Sequence, residues 1–350
     1  MAVEITDRYG AVVCEIVVEP GLLSADSIAY RVIGDRSPGQ IAMFAQPGSQ
    51  PAAQQLAVDL GVEHPVSLRI LPDRDAAKQL AVVEGAYLWL NQLELRRSDL
   101  IVAVGGGALT DVAGFIAATY LRGVDIVLVP TTLLGAVDAA IGGKSAVNVG
   151  GKNLAGAFRH PRSVLIDTDL LEQLPTHLIK EGAAEAFKTG MIADLDLVAL
   201  YEDRGLEAPL HEVVTKSVRV KADIVNRDFM ESDVRAWLNY GHTIGHAVEV
   251  AAGLSHGDAV AVGMVAAAAA SERVLGFTEA RRQLAVIERL GLPIAVEGVR
   301  AEDASQLVAL DKKQAADGLR MTLLESIASP TVMPVDDATV SHALAAVGIA

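Results

Sequence analysis

His242 and His246 stand four residues apart in the segment GHTIGHAVE, so a helix would carry both imidazoles on one face. His256 follows in SHGDAV at a pattern typical of a helix start, and residues 242–256 thus hold three of the chain's eight histidines. Glu185, in EGAAEAFK, offers an oxygen ligand from a different helix. Two imidazoles and one carboxylate suit a divalent metal and leave it an open position for substrate. A metal-free, hydrogen-bonded cluster would use the same residues, and the spacing is not HExxH, which argues against a protease.

Three further groupings bear on anions. Gly105, Gly106 and Gly107 follow the apolar run 100–104 and precede a helical stretch holding Asp111, so backbone amides could approach a pyrophosphate there. The alternative is a tight turn needing positive φ, because the run is not the GxGxxG fingerprint. Between Asp138 and Asp167 lie Lys144, Lys152, Arg159 and Arg162 with no carboxylate, and Gly142-Gly143 and Gly150-Gly151 each precede a lysine. Such a stretch lets ammonium groups and amides converge on an anion, although a solvated loop would read the same way. Lys188 sits one turn after Glu185, Lys221, Arg235 and Asn239 precede the histidines, and Lys312 and Lys313 follow; each is a surface group unless the fold gathers them.

The elements that must position these residues change character along the chain. Residues 67–71, 100–104 and 125–130 read as strands and 75–95 and 108–121 as helices, the βαβ pattern of a parallel sheet. From about residue 170 the pattern is almost wholly helical, with helices expected near 179–192, 206–226, 236–250, 257–275 and 279–290. An α/β domain over 1–168 and an all-helical domain over 169–350 are therefore expected.

Composition narrows the function. With 350 residues, 51% of them hydrophobic, the chain can bury two ordinary cores, and a net charge of -15 opposes nonspecific binding to nucleic acid or anionic membrane. The longest apolar run, 259–270, is too short to cross a bilayer, and Glu4 and Asp7 stand where a signal peptide would be basic and apolar. A cytoplasmic protein is expected, and the single cysteine, Cys14, reads as a buried structural thiol.

GGGALTDVAGFIAATYLRG, VPTTLLGAVDAAIGGKSAVN, GKNLAGAF, EAFKTG, RAWLNYGHTIGHAVE, SHGDAVAVGM and LDKK occur in this order. Over roughly residues 71–324 the sequence resembles the sugar phosphate cyclases and, among them, the 3-dehydroquinate synthases of the shikimate pathway to aromatic amino acids. The resemblance implies an N-terminal NAD-binding domain, a C-terminal metal-binding domain, an active site in the cleft between them, and a homodimer. It assigns the metal, zinc usually and cobalt alternatively, to Glu185, His242 and His256. It assigns NAD contacts to Asp75, Lys78, Gly105, Gly106, Gly107, Asp111, Thr131 and Thr132, with Lys144 and Lys152 close to the nucleotide. Substrate phosphate and carboxylate fall to Lys144, Asn153, Lys188, Lys221, Arg235, Asn239, His246 and Lys312 or Lys313, a substrate hydroxyl to Asp138, and a neighbouring subunit's site to Arg122.

The implied reaction turns 3-deoxy-D-arabino-heptulosonate 7-phosphate into 3-dehydroquinate and phosphate, a carbon-oxygen lyase reaction. Hydride passes to NAD, the new ketone acidifies the adjacent C–H so that phosphate leaves, hydride returns, and the opened ring closes by an internal aldol step. Intact Asn239 and His246 favour this pocket over those of inosose- and valiolone-forming relatives. An aminodehydroquinate synthase or another secondary-metabolic cyclase of the sedoheptulose 7-phosphate type is the alternative. A metal-dependent alcohol or glycerol dehydrogenase, or a non-catalytic NAD-binding protein, lies further off. Three departures stand out: Ala45-Gln46 where the family often has an acid for the adenosine ribose, Asp73-Arg74-Asp75 in place of a DGE-type turn, and Asp228-Phe229-Met230-Glu231 before Arg235.

Overall fold

The computed structural model describes residues 1–24, 27–35, 37–314 and 318–349, with the side chains of 309–314 outside that description. It divides into two compact units, residues 1–174 with 221–226, and residues 175–220 with 227–350.

The first unit is built on strands β1 (Ala2–Thr6), β2 (Val12–Glu19), β3 (Ile41–Ala45), β4 (Val66–Ile70), β5 (Leu100–Gly105) and β6 (Asp125–Pro130), a separate hairpin of β7 (Lys144–Val147) and β8 (Ala155–Phe158), and β9 (Ser163–Asp167). Seven of them form one sheet in the order β1-β2-β9-β6-β5-β3-β4, parallel except where β1 meets β2. Strands β3, β5 and β9 are buried along their whole length; β3 and β5 are apolar throughout, as strands covered on both faces require, while β9 carries Ser163 and Asp167 at its ends. Its helices are α1 (Ile28–Ile33), α2 (Gln50–Leu60), α3 (Leu80–Gln92), α4 (Gly107–Thr119) and α5 (Thr168–Glu172). The chain runs from β3 to β4 on one side and returns to β5 on the other, so the winding reverses between β3 and β5, where open α/β sheets leave a crevice at the strand ends.

Cys14, on β2, is buried, and burial pushes its thiol up to about 12, which leaves it inert as a nucleophile. The helix expected over 75–95 starts only at Leu80: a 3₁₀ turn covers Arg74–Lys78, and Gln79 is extended, bridging to Asn148.

The second unit holds α6 (Thr176–Ala193), α7 (Leu195–Arg204), most of α8 (Leu210–Arg227), α9 (His242–Ala252), α10 (His256–Leu275), α11 (Ala280–Arg289), α12 (Ala301–Gln314) and α13 (Asp337–Ala346). It is helical in the main, but β10 (Arg320–Ser326) and β11 (Ser329–Pro334) form an antiparallel hairpin that the helical reading of the chain did not include. The expected helix 236–250 is interrupted. A 3₁₀ stretch covers Val234–Asn239, and α9 begins only after Gly241, whose φ of 80° no side chain-bearing residue adopts readily.

Helix α10 owes its position to missing side chains. A Cβ on Gly263 would lie 1.9 Å from the carbonyl of Gly241, and one on Gly257 would lie 2.5 Å from the Cα of Glu181. The backbone of α10 therefore touches the start of α9 and the middle of α6. No helix among the described residues is long and apolar enough to cross a membrane.

Candidate active site

His256 is the first residue of α10, with Ser255 as N-cap accepting from the amide of Asp258. The close approach of α10 to α6 and α9 brings three side chains together. Glu185 of α6 directs Oε1 to Nε2 of His256 at 3.2 Å and to Nε2 of His242 at 3.4 Å. The other oxygen, Oε2, lies 2.5 Å from Nζ of Lys188. Glu185 and Lys188 are each 1% exposed, which makes this a buried charge pair.

Burial alone would raise the Glu185 carboxyl, but Lys188 and the two imidazoles hold it well below the usual carboxylate range. Burial disfavours charge on His256, yet Glu185 and Glu249 push it up to about 10, so the cluster stabilises positive charge. One ligand atom each from Glu185, His242 and His256 lies within 4.8 Å of the others, and the donors are an ionised carboxylate and two imidazoles. This is a fitting donor set for a zinc- or cobalt-type ion.

His246 stands on the same face of α9, exposed, with its ring centroid 5.1 Å from that of His242. Glu249, seven residues beyond His242, places Oε2 3.1 Å from Nδ1 of His256. Sequence reasoning passed over Glu249, although the i, i+4, i+7 spacing of His242, His246 and Glu249 carried the signal.

Arg235, 1% exposed, is held by its own loop: its amide donates to Oδ2 of Asp228 at 3.0 Å and its Nη1 to the Phe229 carbonyl at 2.5 Å. Asp228 also accepts from the amides of Ser232 and Asp233 and from the Ser232 hydroxyl. Burial would raise its carboxyl, but these donors bring it down to about 2. The acidic stretch before Arg235 thus shapes the loop that presents the arginine. Asn239 is exposed and donates to Glu231 at 3.4 Å.

In the first unit, the glycine turn lies at the carboxyl end of β5. None of Gly105, Gly106 or Gly107 has positive φ, so the reading of a turn that needs it is corrected. Packing crowds the second and third instead: a Cβ on Gly106 would lie 3.1 Å from Thr132, and one on Gly107 3.1 Å from Ala139, tighter than side chains ordinarily pack. The amide of Thr131 donates to the Gly105 carbonyl at 3.0 Å, and Thr132 Oγ1 accepts from the Gly135 amide at 3.1 Å, which ties β6 to the turn. The result is the start of a 13-residue helix with no side-chain cap, at the sheet's switch point, a place suited to the pyrophosphate of a dinucleotide.

Beside it Lys78, buried, sets Nζ 2.5 Å from Oδ2 of Asp111 and also donates to Asn153. Asn153 therefore stands with the residues assigned to the nucleotide. Lys221 sets Nζ 2.5 Å from both the carbonyl oxygen and Oδ1 of Asp138, which lies in a π-helical turn over Gly135–Ala139.

The acid-free stretch is only partly an anion device. Arg159 pairs with Asp125 at 3.3 Å and Arg162 donates to the Ile33 carbonyl at 2.6 Å, so both serve the fold. Lys144, Lys152, Arg122 and Asp75 are exposed. The side chains of Lys312 and Lys313 lie outside the described residues. Gln46, one of the departures, is buried and donates Nε2 to the Pro72 carbonyl at 2.8 Å, so it braces the turn containing another, Asp73-Arg74-Asp75.

Two family descriptions match the chain in succession: 3-dehydroquinate synthase N-terminal over residues 68–181, and 3-dehydroquinate synthase C-terminal over residues 182–314. A 3-dehydroquinate synthase from Paenarthrobacter aurescens (strain TC1) is 43% identical over 284 residues, 78% of each chain. Among solved structures, 2-deoxy-scyllo-inosose synthase complexed with carbaglucose-6-phosphate, NAD+ and Co2+ superimposes with a TM-score of 0.88 at 27% identity, covering 98% of this chain and 99% of its own. The 2-epi-5-epi-valiolone synthase from Streptomyces hygroscopicus subsp. jinggangensis 5008, with NAD+ and Zn2+ bound, gives 0.87 at 26% identity, covering 95% and 96%.

Proposed function

Because the chain belongs to the 3-dehydroquinate synthase family, we propose that it converts 3-deoxy-D-arabino-heptulosonate 7-phosphate into 3-dehydroquinate and inorganic phosphate. It is in this reading an NAD- and divalent-metal-dependent lyase. The observation that carries it is the convergence of Glu185 Oε1 with the Nε2 atoms of His242 and His256, with Lys188 on the remaining oxygen. An identity of 43% to a 3-dehydroquinate synthase, against 27% to an inosose synthase, favours this substrate over those of other cyclases.

When bound, NAD would supply a hydride acceptor restored within the turnover, and the metal a Lewis acid for the reacting oxygens. Glu185, His242 and His256 hold the ion, and Lys188 keeps Glu185 charged and aimed. The start of α4 and the glycines before it receive the pyrophosphate, and Thr131 and Thr132 fix the turn's shape. Lys78 and Asp111 brace the nucleotide site, and Asp75, Lys144 and Lys152 reach the nucleotide from the surface.

Arg235, whose guanidinium is held by the Phe229 carbonyl, and Lys221, held by Asp138, are preorganised cations for the substrate's carboxylate and phosphate. His246, Asn239 and Asn153 complete the polar contacts, with Lys312 or Lys313 as a further cation. The protein acts in the cytoplasm as a homodimer in which Arg122 reaches the neighbouring subunit's site.

The test incubates metal-loaded protein and catalytic NAD with the heptulosonate phosphate, following phosphate release and identifying the carbocycle by mass and NMR. Phosphate release with 3-dehydroquinate and no net NADH is expected. Stoichiometric NADH would assign an alcohol dehydrogenase instead, and turnover only of sedoheptulose 7-phosphate or an amino-sugar analogue a specialised cyclase.

A further inference from the structure

An imidazole that ligates a cation through one nitrogen carries its proton on the other, and that proton needs an acceptor which also fixes the ring. His242 directs Nε2 at Glu185 and sets Nδ1 3.3 Å from the Tyr240 carbonyl. His256 directs Nε2 at the same Glu185 oxygen and sets Nδ1 3.1 Å from Glu249 Oε2. The two rings are oriented alike, one by a backbone carbonyl and the other by a carboxylate.

From this we infer that Glu249 is a positioning residue of the metal centre, accepting the Nδ1 proton of His256 and so aiming Nε2 at the ion. The inference rests on the reading of Glu185, His242 and His256 as the ligands. Its physical necessity follows from the place of His256. As the first residue of α10, it has no preceding helical turn to restrict its ring, whereas Glu249 reaches it from α9, two turns beyond His242 on the same face. The Glu249 side chain is 14% exposed, so its charge acts on the imidazole with little screening by water.

A competing arrangement exists on the same residues. His246, Glu249 and His256 also place ligand atoms within 4.8 Å of one another, which would make Glu249 a ligand and reverse the His256 tautomer. The first arrangement is favoured because Glu185 is buried and gathers two imidazoles on one oxygen, while His246 is exposed.

The experiment titrates metal-stripped full-length protein with Co2+, reading the visible absorption bands, and competes Zn2+ against a chromophoric chelator. Wild type, Glu249→Ala, Glu249→Gln and His242→Ala are compared, with circular dichroism as the check on folding. Glu249→Ala should bind both ions 10- to 100-fold more weakly, about the range seen for lost outer partners of ligating histidines, with altered Co2+ bands. Glu249→Gln, which keeps an acceptor but loses the charge, should fall between it and wild type, and it decides the matter if the alanine variant does not fold.

Wild-type affinity and bands in the folded alanine variant, or in the glutamine variant if that alone folds, would overturn the inference. A loss in Glu249→Ala as complete as in His242→Ala would overturn it in favour of Glu249 as a ligand. If wild type itself binds neither ion, the ligand set fails and this inference with it; if wild type binds and only the Glu249 variants are indifferent, the ligand set stands.

Discussion

Lys188 sets its ammonium nitrogen 2.5 Å from Oε2 of Glu185, one helical turn away on α6, with both side chains at most 2% exposed. The contact meets the distance but not the angle of a hydrogen bond, so it acts as a pairing of charges. It leaves Oε1 to the histidines and thereby divides one carboxylate between a structural cation and the proposed metal.

Removing that cation should expose the debt of a buried charge. Lys188→Met is expected to destabilise the metal-free protein by about 3–5 kcal/mol, because Glu185 is left buried and uncompensated. Saturating Zn2+ should recover part of the loss by supplying positive charge on the other oxygen. Urea unfolding with and without Zn2+ reads both effects, and an equal loss in the two conditions would reduce Lys188 to a packing role.

His256→Ala should leave a folded protein that retains no stoichiometric metal after desalting. Elemental analysis of the purified variant settles it, since full metal content would remove His256 from the ligand set.

Asp228 titrates at about 2, below the ordinary value near 3.9 for an unfolded chain. Its contribution is therefore fully present above about pH 4 and disappears as pH falls through about 2. Asp228→Asn should cost about 2 kcal/mol at pH 7, and the gap to wild type should close over that acidic window. Thermal melts of the pair from pH 7 down to 2 would show it; a gap independent of pH would mean that the amide donors do not depend on the charge.

Gly263→Ala would drive a Cβ to 1.9 Å from the Gly241 carbonyl and push α10 off α9, with an expected loss of about 3 kcal/mol and weakened metal binding. Gly48→Ala, where a Cβ meets nothing within 4 Å, serves as the control and should change the melting temperature little. Equal melting temperatures for the two variants would remove close helix approach as the cause of the site's assembly.

Lys152 is exposed in the acid-free stretch and directly precedes Asn153, so Lys152→Ala tests whether that stretch serves an anion at all. Weaker NAD or substrate binding with an unchanged melting temperature is expected. Unchanged affinities would leave that stretch as a solvated loop.

Local chemistry made much of this legible from the chain alone. Periodicity marks strands such as β5 and β6 because a strand covered on both faces must be apolar throughout, and the spacing of His242 and His246 places them on one helix face. The long motifs shared with the cyclases supplied the assignments of Glu185 and His256 that spacing alone could not.

What spacing cannot carry is which distant groups meet, because that depends on how closely backbones approach. Only the tertiary structure decided that Arg159 and Arg162 serve the fold, that Asn153 joins Lys78, that Gly106 and Gly107 answer to packing rather than to positive φ, and that Gln46 braces the turn after β4. Glu249 is the clearest case. Its position on the helix face was readable, but its partner lies on α10, and the two meet because Gly263 lets the two helices touch.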